Sequence, residues 1–195
     1  MIKRIFDFSS SFIGLIVLLP LLIFISFAIK LGSSGPVLFS QKRVGKDGNL
    51  FTLIKFRSMS VHQESSSTAT ARGDARITKI GNFLRKYKLD ELPELWNVVK
   101  GEMSLVGPRP DVPGYADSLK GTDRNILKLR PGITGTASLK YANEEEILAS
   151  QEEPQKYNDE VIFPDKVKVN LEYYENQSLW LDIKIIFATI FRTSY

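Results

Sequence analysis

The 195-residue chain has no cysteine and one histidine, His62. The first absence excludes disulfides, thiolate catalysis and cysteine metal sites. The second leaves a two-histidine zinc motif or a histidine-rich metal site without its residues. His62 stands beside a serine-rich stretch and reads as an exposed loop residue, which sets aside a histidine-centred triad. No Gly-x-x-x-x-Gly-Lys-Ser/Thr loop is present, and no nucleic-acid motif. Any chemistry must rest on carboxylates, Lys, Arg, Ser, Thr or Tyr. Charge of one sign is not in short supply: 26 Lys and Arg face 22 Asp and Glu, a net charge of +4. That mild basic excess suits anionic lipid or phosphorylated substrates without choosing between them.

Apolar residues are concentrated at the start. Phe12 to Ile29 is uncharged and broken only by Gly14, Pro20 and Ser26. As a helix it would be about 27 Å long, slightly less than a ~30 Å hydrocarbon core. No small-residue cleavage site follows, so a secretory signal fits poorly. A spanning helix and a re-entrant one both fit. Pro20 near the middle removes a backbone hydrogen bond, and cations flank both ends: Lys3 and Arg4 before, Lys30, Lys42 and Arg43 after. Asp7 in the approach needs a partner, either Arg4 or a group in the globular part.

The remainder is mixed and mostly helical. Val37–Val44 and Leu50–Phe56, separated by Gly45-Lys46-Asp47-Gly48, read as a β-hairpin. Ile77, Ile80, Leu84 and Tyr87 predict a helix over 76–88. Leu92, Leu95, Trp96 and Val99 predict another, with Asp90 as its N-cap, Pro93 in its first turn and Gly101 as its stop. Gly107-Pro108-Arg109-Pro110 and Arg130-Pro131-Gly132-Ile133-Thr134-Gly135 read as rigid turns. The acidic stretch 143–160 reads as solvated helix or loop, Asp165–Asn176 as helix. Ser178 would cap a last helix whose broad apolar stripe suits core packing or a membrane interface.

Leu89-Asp90-Glu91-Leu92-Pro93 is the best chemical candidate. Two adjacent carboxylates sit beside Arg85, Lys86 and Lys88. A helix N-terminus would keep Asp90 ionised, ready to attack phosphorus or to hold Mg²⁺. Ordinary helix capping explains the same residues. Lys55, Arg57, Arg85, Arg109 and Arg130 lie in or beside structured turns, where guanidinium forks suit phosphate oxygens and simple solubility is the plain alternative.

Three segments resemble the monotopic phosphoglycosyl transferases, the bacterial sugar transferases. They are Lys55-Phe56-Arg57-Ser58-Met59, the long run from Lys88-Leu89-Asp90-Glu91-Leu92-Pro93 through Gly107-Pro108-Arg109-Pro110, and Arg130 to Gly135. Ser178 to Lys184 is similar as well, so the resemblance covers essentially the whole chain. Its length resembles members consisting of the catalytic domain alone. The resemblance implies that Asp90 and Glu91 are a catalytic dyad. Asp90 would take the phosphosugar from a UDP-sugar, release UMP and pass it to a polyprenyl (undecaprenyl) phosphate. Glu91 would assist in a Mg²⁺ site or in proton handling. Lys55, Arg85, Arg109 and, more loosely, Arg130 would bind phosphates. It further implies a re-entrant helix over 1–31 broken at Pro20, then a cytoplasmic catalytic domain over 32–195 with interfacial amphipathic helices, on the bacterial inner membrane. Leu19 departs from members with Ser before this proline. The resemblance specifies neither the sugar nor the oligomeric state; loops 62–74 and 136–160 are the natural places for sugar choice. A non-catalytic adaptor binding anionic lipid is the alternative from the basic face alone.

Overall fold

The computed structural model describes residues 1–60 and 76–193, so His62 and loop 62–74 lie outside the described residues. The first element, α1 (Ile2–Gly32), is helical throughout its 31 residues with Pro20 inside. It is long and apolar enough to cross a membrane. Its middle is exposed at Phe12, Ile13, Ile16, Val17, Leu19 and Phe24. Its ends are docked. Asp7 and Ser11 are buried near one end, Ile25 and Ile29 near the other.

A hairpin follows. Strands β1 (Leu38–Val44) and β2 (Leu50–Phe56) pair antiparallel with Leu38 opposite Phe56, as the two apolar runs predict. The turn between them fits Asp47 and Gly48 at positive φ (60° and 82°), conformations that Asp tolerates and Gly favours. Helix α2 (Lys79–Lys86) is capped by Thr78, whose hydroxyl accepts from the Gly81 N–H. Gly81 meets the hairpin exit closely: a Cβ there would lie 1.8 Å from the Ser58 carbonyl oxygen. Phe56 and Leu84 pack with Ile25 and Ile29, joining β2, α2 and the far end of α1 in one cluster.

Helix α3 (Glu94–Lys100) ends at Gly101, whose φ of 88° explains the stop read there. Asn97 stitches α3 to β2. Its amide oxygen accepts from Ile54 N–H, and its nitrogen donates to Thr52 O and to Glu102. Val98 and Met103 pack with Phe51 and Leu53 beneath this joint. Each such fully buried side chain contributes about 1.5–3 kcal/mol.

The two Gly-Pro turns prove to be one unit. They carry strands β3 (Ser104–Val106) and β4 (Gly132–Thr134), which pair in parallel. Three-residue strands have too little alternation to be read from sequence. Glycines make the approach possible: a Cβ on Gly107 would lie 2.3 Å from Arg130 O, and one on Gly135 would lie 2.2 Å from Gly107 O. Helix α4 (Thr136–Lys140) follows, and the acidic stretch then folds as α5 (Glu144–Ala149), α6 (Pro154–Tyr157) and a π-helical turn, Asn158–Ile162, leading into α7 (Phe163–Asn176). Helix α8 (Leu179–Phe191) starts at Ser178, which accepts from the Leu181 N–H. One face of α8 buries Asp182, Ile185 and Ala188, whereas Trp180, Phe187, Ile190 and Phe191 stay exposed. The buried face fits the core-packing reading of its apolar stripe, and the other face leaves large apolar side chains uncovered.

Candidate active site

Residues 88–94 diverge from the helix read there. Lys88 adopts left-handed backbone angles (φ 56°) and turns the chain out of α2. Leu89–Glu91 then forms a single 3₁₀ turn, and the α-helix begins only at Glu94, beyond Pro93. Asp90 is thus not the N-cap of α3. The abrupt turn tucks both members of the dyad inward, leaving Asp90 8% and Glu91 7% exposed.

Glu91 is clamped. Its Oε1 accepts from Lys55 Nζ at 3.0 Å and from Arg109 Nη2 at 2.6 Å. Burial would raise its carboxyl, but the Arg109 and Lys55 charges overcome that and hold it well below the usual range. Lys55 comes from the end of β2, and Arg109 from the turn that the glycine crossing of β3 and β4 supports. Lys55 Nζ also lies 3.1 Å from Glu94 Oε1. Glu94 is almost fully buried, which pushes its carboxyl up to about 7 despite Lys55.

Asp90 differs from its neighbour. Its Oδ1 is buried with no hydrogen-bond partner. Burial, with the adjacent Glu91 charge, raises its carboxyl; Lys55, Lys88 and Arg85 pull the other way. The expectation that a helix N-terminus keeps it ionised is corrected here: no α-helix starts at Asp90, and desolvation dominates. The result is a carboxylate oxygen poorly solvated and ringed by cations, a combination suited to attack on a phosphoryl group. The carboxylates could also hold a hard cation. Among the described residues no set of three metal-type ligands is gathered. Mg²⁺, however, characteristically takes one or two carboxylates and completes its shell with water and substrate phosphates. The unsatisfied Asp90 oxygen fits that donor set.

Not every predicted cation converges. Arg85 acts electrostatically on Asp90 but forms an ion pair with Glu145 of α5. Arg57 is buried, its Nη2 donating to the carbonyl and hydroxyl of Ser33 at the exit of α1, while its Nε and Nη1 have no partner among the described residues. Arg130 donates through Nε to Gly101 O at 2.9 Å, at the opposite end of α3 from Glu94. Both have backbone-anchoring contacts instead of a place at the dyad. Three residues were missed. Lys88 was noted beside the two carboxylates but given no role, and Glu94 follows Glu91 by three positions, so the spacing was available as a signal. Arg43 gave none: it lines a small cavity with Leu53, Lys55, Glu94, Arg109 and Pro110.

Fold and site together define a mostly helical protein with an apolar N-terminal helix and a phosphate-suited carboxylate–cation centre beside it. A sequence profile described as bacterial sugar transferase matches residues 1–194, and the chain belongs to that family. An undecaprenyl-phosphate glucose phosphotransferase of Komagataeibacter xylinus is 41% identical over 97% of this chain and 35% of its own length. A UDP-glucose:undecaprenyl-phosphate glucose-1-phosphate transferase of Escherichia coli is 38% identical, over 98% of this chain and 40% of the relative. A UDP-N-acetylgalactosamine-undecaprenyl-phosphate N-acetylgalactosaminephosphotransferase of Aeromonas hydrophila is 38% identical, over 97% and 43%. The chain thus spans about two fifths of the length of these relatives.

Proposed function

We propose that this chain transfers a sugar-1-phosphate from a UDP-sugar to undecaprenyl phosphate, releasing UMP and beginning the assembly of a membrane glycan. The names of its relatives support the substrates. The observation that carries the reading is the contrast within the dyad: Glu91 Oε1 accepts from both Lys55 and Arg109, while Asp90 keeps a buried oxygen without a partner among the described residues.

In the first step an ionised Asp90 oxygen attacks the sugar-bearing phosphorus. The bond from that phosphorus to the UMP phosphate breaks, and UMP leaves with the electron pair. In the second step an oxygen of undecaprenyl phosphate attacks the same phosphorus, and the bond to Asp90 breaks. Lys55, Arg85, Lys88 and Arg109 offset the charge that builds on the phosphate oxygens. Glu91 anchors Arg109 and draws Lys55 to the dyad. Asp90 and Glu91 would hold Mg²⁺, which when bound supplies further neutralisation of the diphosphate.

The lipid substrate requires the site to lie at a membrane surface. Both ends of α1 favour one-sided insertion. Near the N-terminus, Lys3 bonds Asp182, Arg4 bonds the carbonyls of Val98 and Val99, and Asp7 accepts from Ser104. Near the C-terminus, Ile25 and Ile29 pack on Phe56 and Leu84. A helix crossing the bilayer would carry one of these ends away from the polar body that holds both. The exposed apolar middle, flanking Pro20, would enter the lipid and return to the cytoplasmic face of the inner membrane.

The test is a trapped adduct. Incubating the protein with a panel of UDP-sugars, Mg²⁺ and no lipid should release UMP and add a sugar-phosphate mass to the peptide containing Asp90. Transfer to lipid without such an adduct would point to a single direct displacement.

A further inference from the structure

We infer that Glu94 is a positioning residue for the transfer: it fixes the direction of the Lys55 ammonium, so that one N–H is left aimed at substrate phosphate. The inference rests on the reaction proposed above.

Lys55 Nζ carries three protons and accepts nothing. Two carboxylates surround it, Glu91 at 3.0 Å and Glu94 at 3.1 Å. Glu91 takes one N–H as a hydrogen bond, and the Glu94 ion pair holds the ammonium from a second side, which confines the direction left for a third group. Glu91 alone could not do this, because its Oε1 is shared with Arg109 at 2.6 Å and leaves Lys55 free to swing about a single contact. Glu94 is itself immobile. It opens α3, which Asn97 fastens to β2, the strand that bears Lys55. The Lys55–Glu94 contact therefore closes a rigid loop from β2 through α3 and back.

A stabilising role alone explains the arrangement poorly. A buried carboxylate costs several kcal/mol in desolvation, and the cation it contacts, Lys55, is shared with a second carboxylate, while Arg109 and Arg43 act on it only from farther off. A near-neutral carboxyl is consistent with such a site, since a protonated Glu94 still offers its carbonyl oxygen to Lys55. Its role is then geometric, and an uncharged acceptor should replace it.

The experiment is a double-mutant cycle on the full chain in detergent or nanodiscs, reading UMP release and Asp90 adduct formation. Glu94→Met matches the volume without an acceptor, and Glu94→Gln keeps the acceptor without the charge. Glu94→Met should lower kcat by about tenfold or more, and Glu94→Gln should stay within about threefold of wild type. In a Lys55→Met background, Glu94→Met should have no further effect. An unchanged rate in Glu94→Met, or an effect that persists undiminished without Lys55, overturns the inference. Should Glu94→Met not fold, Glu94→Gln and Glu94→Asp carry the test: Gln must preserve the rate, and the shortened Asp must lower it. If wild type itself releases no UMP from any UDP-sugar, the transferase reading fails instead, which separates the two outcomes.

Discussion

At the scale of residues, adjacent carboxylates of the same chain have been driven in opposite directions by their surroundings. Glu91 is ionised through direct contacts with two cations, whereas Asp90 and Glu94 are pushed toward protonation by burial. Asp90→Asn should therefore abolish UMP release, by about a thousandfold or more, because an amide cannot form the acyl phosphate. Membrane association measured by flotation should survive. The raised Asp90 carboxyl also places the acid limb of the pH–rate profile above the ordinary aspartate range, since only the ionised form attacks. For stability the signs oppose each other. Between about 4.5 and about 7 the folded chain retains a proton on Glu94 that the unfolded chain has lost, so this residue lowers stability as pH rises through that window. Glu91 does the reverse: its contribution is present above about 4.5 and is lost as pH falls below it. Thermal unfolding at pH 5 and pH 7.5 should show a decline in wild type that is smaller in Glu94→Gln.

At the scale of elements, the crossing of β3 and β4 sets Arg109 against Glu91. Gly107 N–H donates to Thr134 O and Gly132 N–H to Pro108 O, with no room for a side chain between the backbones. Gly107→Ala must separate them. A loss of about 2 kcal/mol or more is expected in chemical denaturation, with a fall in UMP release from the displaced arginine. This unit was legible only as two rigid turns bearing arginines. The hairpin, the stop at Gly101 and the Ser178 cap were read correctly, because each depends on neighbours a few positions away; α2 was read too long, over 76–88, since Ile77 bridges to Met59 and the helix spans only Lys79–Lys86. The start of α3 was not. Asp90 looked like a cap, yet the left-handed Lys88 and the Pro93 that follows divide the segment into a 3₁₀ turn and a later helix. Local propensity describes both alternatives equally well; packing against β2 and α1 selects one.

At the scale of the whole molecule, α1 is held at both ends by one body. Asp7, expected to need a partner, finds it in the Ser104 hydroxyl and the Leu105 N–H, and Arg4 turns instead to the end of α3. Lys3 reaches Asp182, which also accepts from Tyr173, so α1, α7 and α8 meet at a buried polar joint. With no native cysteine, single cysteines can report topology cleanly. Cysteines placed at Ile2 and at Ser34 should both resist an impermeant thiol reagent added outside intact cells. Labelling of either one would indicate a helix that crosses the membrane.

The sequence by itself determined the apolar helix, the mixed and mostly helical class, the adjacent Asp90–Glu91 pair and the family, since these depend on composition, periodicity and contiguous motifs. Only the tertiary structure decided which cations meet these carboxylates. It brought Lys55 and Arg109 to Glu91 across 36 and 18 positions, and spent Arg57 and Arg130 on backbone carbonyls. The physical reason is range. A guanidinium in a turn satisfies a carbonyl or a carboxylate equally well, and what it meets depends on how distant segments close over a shared core, which no local pattern encodes.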